Sequence, residues 1–159
     1  MGEKLSGLVL PSMIAVAWIL ALFGVSSPGS GGVSGFNEEN TIRWILYFAG
    51  WVFLFSSVMH SIFAKKMAKS IGWKTNGFQY EIAAVSLGLG LGCFYAVYRG
   101  AEAWVAISLP IISFLLLAGV NHLVEIVKKK NYAPNNTLIL IWDFGVPISL
   151  IVLLLSIGA

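Results

Sequence analysis

The sequence predicts an all-α protein, a polytopic membrane helical bundle, on three observations. Only 11% of the 159 residues are charged and 58% are hydrophobic, with a mean hydropathy of +0.85, whereas a soluble domain carries about 25% charged residues. Five apolar stretches, near residues 5–25, 41–64, 78–99, 103–127 and 137–157, each supply the roughly 20 residues that a helix needs to cross a bilayer. No stretch alternates with the period of two that a membrane β-barrel requires, and in lipid a helix satisfies its own backbone hydrogen bonds. The length fits one domain, 1–159.

Each element has local signals. The first stretch follows Lys4 and contains Pro11 close enough to its start for the missing N–H to cost little. It is longer than the ~7–15 residues of a signal-peptide core and reads as a retained helix. Residues 26–40 are rich in Gly and Ser and predict a flexible extracytoplasmic loop that does not pack. The second stretch opens at Asn40-Thr41, a capping pair. Residues 65–77 form a basic connection in which Met67, Ile71 and Trp73 oppose the lysines. This predicts a short helix lying in the headgroup layer, with Trp73 as an interfacial anchor. Thr75-Asn76-Gly77 is a turn before the third stretch. Pro110 is placed to kink the fourth, and Pro134-Asn135-Asn136-Thr137 is a stop-and-cap signal before the fifth.

Charge gives the orientation. With the N-terminus cytoplasmic, the inner side holds Lys4, Lys65, Lys66, Lys69, Lys74, Lys128, Lys129 and Lys130. The outer side holds Arg43 and Arg99, with Glu38, Glu39 and Glu102. This sorting by loop is a topology signal and excludes a nucleic-acid footprint. It fits a multi-pass protein of the inner, cytoplasmic membrane whose surroundings are lipid. The lone Cys93 excludes an intramolecular disulfide and a cysteine zinc site.

The remaining ionisable residues gather at one depth. At about 1.5 Å per helical residue, His60, Glu81, His122, Glu125 and Asp143 fall roughly 3–9 Å inside the lysine-bearing face. They come from four of the predicted helices, with Asn121 and Gln79 at the same level. Intramembrane ionisable groups are costly and face a bundle interior or a wet cavity. Glu81 continues along Ala84, Gly88 and Gly92, a small-residue stripe that predicts a tight helix contact. Pro147 cannot donate to the Asp143 carbonyl, which leaves an acceptor beside a carboxylate. His60, Glu81, His122 and Asp143 offer ligands for a divalent metal, although their spacing matches no metal motif. Structural readings stand beside these. Glu125 can pair with Lys128 or Lys129, Gln79 can complete a capping box with Asn76, His60 can pair with Asp143, and Asn121 and His122 can bond neighbouring helices.

Three apparent motifs carry nothing. Asp143-Phe144-Gly145 lacks the other parts of a kinase. Asn135-Asn136-Thr137 falls on the cytoplasmic side, where no glycosylation occurs. Gly88-Leu89-Gly90-Leu91-Gly92 is helix interior rather than a phosphate loop.

His60, Ala68-Lys69-Ser70-Ile71-Gly72-Trp73, Phe78-Gln79-Tyr80-Glu81, Asn121-His122 and Asp143 with Pro147 resemble a family of small prokaryotic multispan membrane proteins of unknown function. Its hallmark is H…A-x-x-I-G-W…F-Q-x-E, and the resemblance covers about residues 45–155. It implies that His60, Gln79, Glu81, Asn121, His122 and Asp143 belong together. The helical-bundle layout is more loosely similar to DoxX-like proteins, by fold analogy alone.

Three functions follow from this reading. The polar cluster binds or conducts a proton, a metal cation or a small polar ligand. Alternatively, the chain is an accessory or assembly subunit of a larger membrane complex or a homo-oligomer, with Trp18, Trp44, Trp51, Trp104 and Trp142 available for partner helices or lipid. In the third reading it is a membrane enzyme acting on a lipid or quinone, with His60 and Glu81 as an acid/base pair. The orientation has a direct check. A reporter fused after Ala159 is expected to be active only on the extracytoplasmic side, and cytoplasmic activity would refute the topology.

Overall fold

A computed structural model describes the backbone of residues 2–159 and the side chains from residue 7 onward. The Lys4 side chain, counted above on the inner side, lies outside that range. Among the described residues seven helices follow one another: α1 (Gly2–Leu22), α2 (Glu38–Ser61), α3 (Ala64–Ile71), α4 (Phe78–Val97), α5 (Ala101–Lys129), α6 (Pro134–Thr137) and α7 (Ile139–Ser156). Glu38–Ser61, Phe78–Val97, Ala101–Lys129 and the continuous Pro134–Ser156 are long and apolar enough to cross a membrane, and Gly7–Leu22 is a shorter apolar helix. The chain is thus a multi-pass helical membrane bundle, as the hydropathy predicts.

The helices pack around small residues. α2 and α4 make the most extensive contact, because Gly50 and Gly90 face each other. A Cβ on Gly90 would stand 3.1 Å from the Gly50 carbonyl oxygen and 3.0 Å from Leu54 Cδ2. Ser56 and Ser86 meet across the same seam at 3.2 Å. The contact face of α4 is Gln79, Ala83, Ser86, Gly90, Cys93 and Val97, all buried. The stripe expected to make it points elsewhere. Glu81, Ala84 and Gly88 are exposed, and Gly92 faces Ile107 of α5 rather than α2. Two small-residue stripes run along α4, and spacing alone does not choose between them.

α5 packs on α7, and α1 lies across α2 and α7. Trp18 of α1 donates to Ser149 Oγ at 3.0 Å and stacks on Phe36. Trp104 and Trp142 are almost fully buried, whereas Trp51 is exposed. α2 starts earlier than its sequence signal. Asn37 caps it by accepting from the Asn40 N–H at 2.8 Å. Asn40 is instead buried and ties down the preceding loop. Its Oδ1 accepts from Ser27 N at 2.8 Å and its Nδ2 donates to Val25 O at 2.9 Å. Trp44 Nε1 donates to the same carbonyl. The Gly/Ser-rich segment is therefore anchored near its start rather than free. At this end Arg43 donates to the Val97 carbonyl and lies over the Trp104 ring at 4.7 Å, so it closes the C-terminal turn of α4.

At the lysine-rich end α3 docks through Ala64, Ala68 and Ile71, with Lys65, Lys66 and Lys69 exposed. It stops at Gly72 in the left-handed region, φ 83°. A side chain there would be strained, and its Cβ would lie 2.7 Å from Asn131 Oδ1. Asn131 secures the junction by donating to Ile71 O at 2.8 Å.

The α2–α4 seam gives a paired test. Gly90→Val is expected to lower stability by about 1–3 kcal/mol through overpacking. Gly88→Val, where an added Cβ meets nothing within 4 Å, should change it by less than about 0.5 kcal/mol. Denaturation in mixed detergent micelles compares the two, and equal losses would contradict the seam.

Candidate functional site

α7 packs tightly on α5 at Gly119, where a Cβ would stand 3.1 Å from Asp143 Cβ. Less than a turn further along α5, His122 faces the same carboxylate, with Nε2 4.0 Å from Asp143 Oδ2. An amide and a ring hold His122 in place. Its Nδ1 lies 2.8 Å from Asn136 Oδ1, and its face stacks on Trp73 with centroids 5.3 Å apart. Asn136 is fully buried, and its Nδ2 points at two carbonyls, Asn131 O at 3.0 Å and His122 O at 3.4 Å. Carbonyls only accept, so the NH2 group must lie on that side and Oδ1 must face the histidine. His122 Nδ1 therefore carries the proton, and in the neutral ring Nε2 is an acceptor turned toward Asp143.

His60 is set by a second amide. Gln79 Nε2 donates to Ala64 O at 3.2 Å and lies 3.5 Å from His60 Nδ1. Gln79 is thus buried against the end of α2 and does not form a capping box with Asn76. Asn76 Oδ1 accepts from Phe78 N at 3.0 Å instead.

These groups share a cavity of about 610 Å³, in the size range of small-molecule sites. His60, His122 and Asp143 are among its lining residues. Val52 and Phe53 of α2, Phe114, Leu115 and Ala118 of α5, and Leu10, Met67 and Ile71 of α1 and α3 also line it, and Ser56, Lys66, Ser70 and Asn121 add polar groups to the wall. From His60 to Val52, and from His122 to Phe114, is about 12 Å of helix. Phe55 and Leu117 also line the cavity and are 56% and 70% exposed on the bundle surface, so it reaches the face turned to lipid. Among the described residues five buried side-chain polar atoms lack a hydrogen-bond partner, and three belong to this cluster: Trp73 Nε1, Gln79 Oε1 and Asp143 Oδ2. Asp143 is only 2% exposed, and an unpaired buried acceptor is costly.

The other sequence-derived site residues fall outside this end. Glu81 is exposed on α4. Glu125 is buried but pairs with Lys129 at 2.5 Å, and lines a separate cleft of about 450 Å³ with Lys74, Asn76 and Asn121. Asn121 is exposed and borders both spaces, as does Trp73. Asp143 is near His122, not paired with His60. Among the described residues no three His, Cys, Asp or Glu side chains are arranged to hold a metal ion. The metal set of His60, Glu81, His122 and Asp143 does not converge, because Glu81 faces away. Sequence reading missed Asn136 and Trp73. Asn136 looked like part of a helix start, although it lies seven residues, two helical turns, before Asp143.

The fold and this intramembrane cavity define a small multi-pass membrane protein. Residues 8–157 match the model of a family of unknown function, DUF6790, and the chain belongs to that family. No curated protein and no solved structure matches the chain.

Asn136→Leu is expected to destabilise the protein by about 1–3 kcal/mol, since it strips partners from His122 Nδ1 and two carbonyls. Glu81→Gln should stay within about 0.5 kcal/mol of wild type. Thermal unfolding in detergent measures both, and a neutral Asn136→Leu would contradict the assigned network.

Proposed function

We propose that the protein binds an amphipathic small molecule from the membrane, with the polar head at His60, His122 and Asp143 and the apolar part between α2 and α5. The observation that carries this reading is the cavity: mostly apolar walls that also carry two histidines and a buried Asp143 carboxyl with an unpaired oxygen. Few convergent polar groups in an apolar pocket are the usual composition of a ligand site. A proton or a small ion alone would need no apolar space of this volume. The exposure of Phe55 and Leu117 favours access from the bilayer rather than from water. The sorting of lysines to one face supports a polar end on the cytoplasmic side.

A membrane enzyme acting on a lipid or quinone would use the same cavity, and its opening on the lipid-facing surface beside His60 favours that as the second reading.

Filling the cavity tests the proposal. Ala118→Trp is expected to abolish co-purification of a bound lipid-like molecule, seen by native mass spectrometry from gentle detergent, while the bundle still unfolds cooperatively. Wild type and variant carrying the same bound species would refute the site.

A further inference from the structure

We infer that His122 and Asp143 form a proton-binding site. At neutral pH the pair carries one proton beyond the one on His122 Nδ1, whether or not an amphiphile fills the cavity.

Three observations meet at this pair. Asn136 presents Oδ1 to His122 Nδ1 at 2.8 Å, because its Nδ2 is committed to the Asn131 and His122 carbonyls. Nδ1–H is therefore present in the neutral ring and in the imidazolium alike, and only Nε2 is left to change its protonation. Nε2 stands 4.0 Å from Asp143 Oδ2. Asp143 is 2% exposed, and its Oδ2 has no hydrogen-bond partner.

Without a further proton, a lone pair on Nε2 would face one on Oδ2, and a negative charge would be buried with no donor to that oxygen. A buried charge left unpaired in this way neutralises instead. One proton removes both penalties. On Oδ2 it makes a neutral acid beside a neutral ring, and on Nε2 it makes an imidazolium beside a carboxylate. The pair has no net charge in either form. A second proton would leave an imidazolium beside a neutral acid, which again buries an unpaired charge. Because 4.0 Å exceeds hydrogen-bond length, the proton rests on one atom or the other rather than in a short shared bond.

The surroundings supply no substitute. Among the described residues no lysine or arginine pairs with Asp143. His60 of α2 and Lys66 of α3 line the same cavity, and Lys66 is exposed. Glu125, three residues beyond His122 on α5, is paired with Lys129. Glu81 of α4 is exposed. The cavity-lining residues of α1, Gly7, Val9 and Leu10, carry no charge. α6 contributes the Asn136 amide, and α7 has no other ionisable side chain.

The sequence makes the proton count readable without altering the pair, because Asp143 is its only aspartate and His60 its only other histidine. The full chain is prepared in phosphatidylcholine nanodiscs at neutral pH with carboxyl-13C aspartate and ring-15N histidine. The 13C resonance reports whether Asp143 is an acid or a carboxylate. The 15N resonances, assigned by the set lost in His60→Gln, report which nitrogens of His122 are protonated. One proton is expected on the pair: an acid with His122 protonated on Nδ1 alone, or a carboxylate with both nitrogens protonated. A carboxylate beside a ring protonated on Nδ1 alone would overturn the site, as would an acid beside a doubly protonated ring. If His60→Gln does not fold, the stacked indole of Trp73 identifies His122 in the wild type through its cross-peaks.

Discussion

The closeness of α5 and α7 at Gly119 is the constraint on which the polar end of the bundle depends. Only a residue without a side chain lets Asp143 Cβ and the Phe144 ring come this near the α5 backbone. That approach carries the Asp143 carboxylate to His122, and the turn of α6 then carries Asn136 to the other side of the same ring. The imidazole is held from three directions, by an amide, an indole and a carboxylate. Two of these hold it firmly, through a 2.8 Å hydrogen bond and a stacked ring. The third stands back at 4.0 Å. The result is an imidazole fixed on two sides with a buried carboxyl group facing its third.

How much of this was legible in the sequence depends on the kind of signal. Hydropathy fixes helices because bilayer thickness imposes a length, and the spans follow to within a few residues. Counting from the helix ends places His60, His122 and Asp143 at one level, and all three line the same cavity. Rotation about the helix axis was not legible for α4. Its residues 79, 83, 86, 90 and 93 and its residues 81, 84, 88 and 92 form two polar-headed stripes of small residues about half a turn apart. The first lies against α2. The choice is made by Gly50 and Ser56 on another helix, which no pattern within α4 records. Glu81 was misplaced for that reason, and Gln79 took the buried position.

Asn136 and Trp73 show a second limit. Both sit in connections, where local grammar gives them ready explanations as a helix-start residue and an interfacial aromatic. Tertiary packing turned both inward onto His122. Asn131 and Gly72 make this turn durable. The left-handed glycine lets α3 end abruptly, and the asparagine amide bonds the last carbonyl of α3 to the α5–α6 connection. The position of Trp73 is thus set by a junction between two loops distant in sequence, a non-local relation invisible to any window along the chain.

The cavity occupies one half of the bundle's height. Its polar end lies near the lysine-rich face and its apolar part runs about 12 Å along the helices, against a hydrocarbon core about 30 Å thick. A bundle seated across a bilayer therefore opens it to a single leaflet. Exchange with the other leaflet would require a molecule to cross the membrane first, so the composition of one monolayer, not of the membrane as a whole, would govern what the protein encounters.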